Sequence, residues 1–199
     1  MTRPSYKIIA MAIALFALTL AAQNPTCYKC SATYVSREEI QAYLDRAPAR
    51  AKNSVADQQV RAVDIGKAHV DIGVVYRGGT QAAGSAVAEH DQVSEVYHVL
   101  DGSATLVTGS DIAGWKARPA DNEAVRLLNG PGGNGSSIRN GATYRLRAGD
   151  VIVIPAGVGH WFTKVDDHIR YLMIRVDPDK VTPLKDEAAS KADLAGARR

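Results

Sequence analysis

The fourteen residues from Gly149 to Phe162, GDVIVIPAGVGHWF, constrain the fold more than any other part of the chain. Gly149-Asp150 is a tight-turn dipeptide, and the β-branched run from Val151 to Ile154 suits a strand covered on both faces. Pro155 has no amide hydrogen to give to a sheet ladder, and Gly157 and Gly159 reach backbone angles that other residues avoid. His160 comes directly after this bend and opens a new apolar run. A stiff corner therefore aims an imidazole.

The remaining strand signals fit around that corner. Val60, Val63 and Ile65 mark one strand, and His69 to Arg77 mark a second that ends at Gly78-Gly79. His69 reads as a polar residue of an edge strand. From Ala88 to Gly102, AEHDQVSEVYHVLDG, alternation puts Glu95, Tyr97 and Val99 on one face and Val96, His98 and Leu100 on the other. Asp101-Gly102 is a hairpin dipeptide, which predicts Ser103 to Thr108 as the return strand. Thr143 to Arg147 leads into the corner, beyond which His160, Phe162 and Lys164 share a face. A last strand, Ile169 to Val176, sets Tyr171 and Met173 against Leu172 and Ile174. Ahead of the strands, Ser36-Arg37-Glu38-Glu39 is a capping box opening a short helix to about Arg46, before Pro48, which covers the barrel or a partner subunit.

The spacing Gly149, Pro155, Gly157, His160 resembles the second signature of the cupin superfamily, with Lys164 where that family has Asn. Glu95 and Gly102 have the Glu-to-Gly spacing of the first signature. His90 then stands at its second histidine, and Ala88 at the first. Anchoring on Gly84 instead makes His90 the first histidine but puts Glu95 out of register. The resemblance covers roughly residues 58–177. It implies an all-β fold, the cupin double-stranded β-helix or jelly-roll barrel with a short N-terminal helix, and a metal held by His90, Glu95 and His160. It also implies a homodimer through edge strands and the Ser36 helix. Imidazole serves Zn, Fe, Ni and Cu, carboxylate favours Mn and Fe, and three protein ligands leave positions open for water or substrate.

The flanking segments bear on location and partners. Arg3 and Lys7 precede an apolar run of fifteen residues, Ile8 to Ala22, ending in small residues. This reads as a secretory signal over residues 1–22, too short for the roughly 20 apolar residues of a membrane span. A secreted or periplasmic protein, off the membrane after cleavage, is expected. Removal takes two cations and no anions, leaving 22 basic residues against 21 acidic. That near balance gives no basic stripe for nucleic acid, so the partner should be a small molecule or a protein. Cys27 and Cys30, in residues 23–57 with the helix, are the only cysteines and read as a local disulfide. Residues 178–199 read as a polar tail, frayed helix or disordered.

Two functions follow. In the first, the chain is a metal-dependent enzyme of dioxygenase, lyase or isomerase type acting on a small organic molecule. Tyr97, on the face of Glu95, is either a proton donor or packing. Tyr97, Phe162, Tyr171 and Met173 are expected as pocket walls, a lining that suits an aromatic or apolar substrate. Trp115, in the glycine-rich insertion from Gly109 to Gly141, either folds over the barrel mouth or anchors its own loop. In the second, the chain is a secreted barrel that holds a small ligand without turnover, in keeping with the lost histidine and with Lys164.

Overall fold

The computed structural model describes residue 27 and residues 30–79 and 86–196; the expected signal segment and Gly84 lie outside them. A first helix, α1 (Arg37–Arg50), is followed by β1 (Val55–Asp64), β2 (His69–Gly78), β3 (Val87–His90) and β4 (Ser94–Gly109). The insertion carries β5 (Ile112–Ala113), β6 (Lys116–Ala117), a π-helical turn Val125–Asn129, β7 (Gly132–Gly135) and β8 (Ser137–Ile138). Then come β9 (Ala142–Arg147), β10 (Val151–Ile154), β11 (Gly159–Asp177) and a second helix, α2 (Glu187–Gly196). Among the described residues no helix is long and apolar enough to cross a membrane.

Two long antiparallel strands, β4 and β11, pair from Ser94 with Val176 to Gly109 with Gly159, and build the barrel. The expected hairpin at Asp101-Gly102 does not form. The chain bends there and continues, opposite a bulge between Val165 and Ile169 on β11. The bend splits the pair between two sheets. Beyond it, β9, β4, β11, β3, β7 and β6 lie side by side; before it, β10, β4, β11, β2 and β1 do. Their inner faces enclose one core containing Tyr97, Leu106, Phe162, Ile169, Tyr171 and Met173. This is a jelly-roll barrel.

Several local expectations change once the neighbours are known. Val151 and Val153 are 60% and 62% exposed, because β10 is an edge strand with one face outward. His69 lies on β2, flanked by β1 and β11, and is buried with Nδ1 3.0 Å from the Thr182 carbonyl oxygen, so it is no edge residue. A second bulge between Phe162 and Lys164 turns Lys164 outward, where it pairs with Asp166 instead of sharing the His160 face.

Ser36 Oγ caps α1 by accepting from the Glu39 amide at 3.1 Å. The Glu39 carboxylate does not reach back; it accepts two bonds from buried Arg61, at 2.7 and 2.9 Å, a charge-assisted pair stronger than the local one. The helix passes Pro48 to Arg50, and Tyr43 and Leu44 pack against Val60 and Val74. The C-terminal segment is no frayed tail. Ser190 of α2 is fully buried and bonds the Val60 carbonyl, while Asp193 accepts from Tyr43 Oη at 3.1 Å and from Arg46 at 2.8 Å.

Gly102 makes the β4 bend possible. Its φ is +75°, and a Cβ there would meet the His168 carbonyl oxygen at 2.1 Å. Gly102→Ala should therefore lower stability by about 2–4 kcal/mol, from left-handed strain plus the clash. Urea unfolding followed by circular dichroism checks this; an unchanged midpoint would mean that the bulge on β11 sets the bend alone.

Candidate metal centre

Three side chains from three strands converge inside the barrel. His90 ends β3, Glu95 lies near the start of β4, and His160 follows the Pro155–Gly157 corner at the start of β11. They are 4%, 1% and 5% exposed. His90 Nε2 lies 3.4 Å from Glu95 Oε1, and His160 Nε2 lies 3.6 Å from Glu95 Oε2. All three donor atoms fall within 4.8 Å of one another. Ligands about 2.1 Å from a shared ion stand roughly 3.0–3.4 Å apart for octahedral to tetrahedral angles. The cluster could hold a divalent ion with little adjustment. Ala88, paired with His160 across β3 and β11, lines the same cavity and offers no donor atom from its side chain.

The charge states suit the same use. Burial works to raise the Glu95 pKa, but the adjacent His90 with its hydrogen bond, His160 and Arg175 hold it well below the usual carboxylate range. Burial, opposed by Glu95 and reinforced by His90, lowers His160 to about 4, so at neutral pH its ring has a free lone pair. An ionised carboxylate beside a neutral imidazole is the protonation state that metal binding requires. Tyr97 is pushed well above its ordinary value by burial and by Glu95, and keeps its proton. Its Oη donates to Glu95 Oε2 at 2.6 Å.

A cavity of about 100 Å³ adjoins the cluster, and its wall includes Tyr97, Met173, Arg77, Arg118, Asp57 and Asn129. Phe162 and Tyr171 do not line it. They pack against Tyr97 in the core, with ring centroids 6.3 and 4.5 Å from it. Two guanidinium groups replace the expected aromatic surface: Arg77 lies 4.4 Å over the Phe162 ring and donates to Tyr171 Oη at 3.2 Å. Trp115 is not a pocket wall. It is 44% exposed, its indole lies over Gly133, and Nε1 donates to Glu89 Oε2 at 3.0 Å, one residue before His90 on β3. It anchors the insertion. His98 is exposed, away from the cluster, and Cys27 pairs with Cys30.

Beside Arg77 and Arg118, two further residues at the site escape a reading from sequence. Arg175, the β11 partner of Glu95, is fully buried; its Nε lies 3.4 Å from Glu95 Oε1, and its other nitrogens reach Asp57 and, at 2.9 Å, Gln59 Oε1. Continued alternation from Tyr171 and Met173 puts it on the inner face, but arginine is rarely placed in a core. Asn129, at the end of the π-helical turn, has Nδ2 3.1 Å from His90 Nε2. It lies in an aperiodic insertion, where no pattern marks it.

Residues 132–195 match the family model of the AraC-like ligand binding domain. No curated protein matches the chain in sequence. A solved structure from Bacillus halodurans is similar at 13% identity and TM-score 0.41, over 80% of this chain and 93% of that one. The DMSP lyase DddQ from Ruegeria pomeroyi is similar at 17% identity and TM-score 0.39, over 65% of this chain and 50% of that one. A cupin protein from Bacteroides fragilis is similar at 17% identity and TM-score 0.33, over 58% of this chain and 72% of that one. The jelly-roll barrel, the Gly149-to-His160 corner and the match of residues 132–195 to a ligand-binding family model support a likeness to the cupin superfamily.

Proposed function

We propose that this protein is an exported, metal-dependent cupin enzyme that acts on a small anionic molecule, by lyase, isomerase or dioxygenase chemistry. One observation carries the reading: two imidazoles and a carboxylate, all buried, bring their donor atoms within 4.8 Å of each other inside a barrel. A divalent ion bound there would supply Lewis-acid polarisation or dioxygen activation. The chain's own residues hold and select. Tyr97 fixes the carboxylate of Glu95, and Arg77 and Arg118 offer guanidinium donors to a carboxylate-bearing substrate. The Cys27–Cys30 pair supports an oxidising compartment. The exposed apolar edge of β10 at Val151 and Val153 supports association with a second copy.

Elemental analysis of the protein, purified without a histidine tag, is the test. We expect close to one ion per chain in the parent. His160→Ala should weaken binding by at least ~100-fold, the upper end of what partners outside the coordination sphere cost. No ion after reconstitution would overturn the metal reading. The match to a ligand-binding family favours a second reading, a barrel that binds without turnover; ligand affinity that persists after complete metal removal would select it.

The ion-free protein should be acid-sensitive. Above pH 6.5 neither folded nor unfolded His160 holds a proton; between 6.5 and about 4 the unfolded chain takes one up and the folded barrel does not. Stability therefore falls as pH falls through this window, by up to about 3 kcal/mol from this residue. Urea unfolding in chelator at pH 7 and pH 4.5 measures the loss, and His160→Gln should remove that share of it. An equal pH dependence in parent and variant would show that His160 is not buried neutral.

A further inference from the structure

We propose that Asn129, carried in by the insertion, is the fourth protein ligand of the metal centre, its side-chain oxygen supplying the donor that Ala88 does not. This rests on the metal reading above. Asn129 is 8% exposed, and its amide nitrogen lies 3.1 Å from His90 Nε2. That separation is the one expected between neighbouring ligands on a shared ion, about 3.0 Å at 90°. Asn129 Oδ1 is buried and has no hydrogen-bond partner. The side chain thus has one end beside a candidate ligand atom and the other buried and unpaired, and its two ends are nearly isosteric.

The chemistry of His90 decides which end faces inward. Nδ2 faces Nε2 here, but Nε2 also lies 3.4 Å from the Glu95 carboxylate, which only accepts, so when Nε2 carries a proton the amide oxygen is the end that it can bond. Once the Nε2 lone pair is directed at a cation, an N–H beside it would point at positive charge. Turning the amide end for end exchanges two nearly isosteric groups and brings Oδ1 to the position now held by Nδ2. The backbone is built to deliver it. The π-helical turn Val125–Asn129 ends at Gly130, which has φ +64°. β7 then pairs with β3 in register, with Gly132 opposite His90, so the segment that carries Asn129 is tied to the strand that carries His90. A Cβ on Gly132 would meet the Glu89 carbonyl oxygen at 2.3 Å, so glycine is what lets the two strands approach. The resulting donor set is two nitrogens and two oxygens, harder than a three-histidine set and displaced toward Mn²⁺ and Fe²⁺.

The test uses Co²⁺ as the probe, in chelator-competition titrations and visible absorption of the parent, Asn129→Leu and Asn129→Asp, with circular dichroism checking the fold. Diffraction from Co²⁺-loaded parent crystals completes it. We expect Asn129→Leu to weaken Co²⁺ binding by roughly 10- to 100-fold and to change the absorption bands, and Asn129→Asp to restore affinity. In the loaded crystal Oδ1 should lie about 2.1–2.3 Å from the ion. Unchanged affinity and bands in Asn129→Leu would overturn this assignment and leave the three-ligand site standing. So would weakened binding in Asn129→Leu with Oδ1 beyond 3 Å of the ion, which would make Asn129 a support of His90 only. A parent that takes up no Co²⁺ would overturn the metal reading itself.

Discussion

The burial of Glu95 is the constraint on which the rest of the interior depends. Moving a carboxylate from water into a protein core costs several kcal/mol even after relaxation, and the loss is recovered only by close, well-directed partners. The barrel surrounds Glu95 with them. Arg175 stands directly across from it on β11, Tyr97 donates at 2.6 Å, and the rings of His90 and His160 lie at 3.4 and 3.6 Å. Arg175 is fully buried in turn and needs Asp57 and Gln59. The polar interior is thus one connected network, and removing a single member leaves another charge unpaired.

That network exists because two strands are long enough to cross the whole barrel. β11 supplies His160 near one end and Arg175 near the other, with Phe162, Tyr171 and Met173 between them on the inner side. β4 supplies Glu95 and Tyr97 before the bend and Ala104 and Leu106 after it. The bend at Gly102 and the bulge at Val165–Ile169 let the same pair of strands enter two sheets without exchanging inner and outer faces at the site. The ring that carries the Glu95 donor is packed by a stacked Phe162 and a tilted Tyr171.

The legible parts of the sequence are those governed by local chemistry. The Gly149–Phe162 corner announced His160, and alternation along residues 94–100 put Glu95 and Tyr97 on one face, because a strand period of two needs no knowledge of the neighbours. What depends on neighbours was not legible. Asp101-Gly102 is a hairpin dipeptide in isolation, and only the partner strand makes it a bend in a continuous strand. Val151 and Val153 read as doubly covered because a β-branched run does not reveal an edge. Lys164 carries no mark of the bulge beside it. Phe162 and Tyr171 lie on the predicted inner face, but depth along the barrel axis separates core from cavity wall, and periodicity carries no depth.

Charge balance around the cavity bears on what the site can accept. Arg77, Arg118 and Arg175 face Glu95 and Asp57, and Arg175 is already committed to both carboxylates. Glu89 and Asp91 also act on Arg118, and Asp71 on Arg175, so a divalent cation bound here would sit among closely balanced charges. The barrel therefore places a possible metal-binding cluster beside buried guanidinium groups, and the two act on the same small volume.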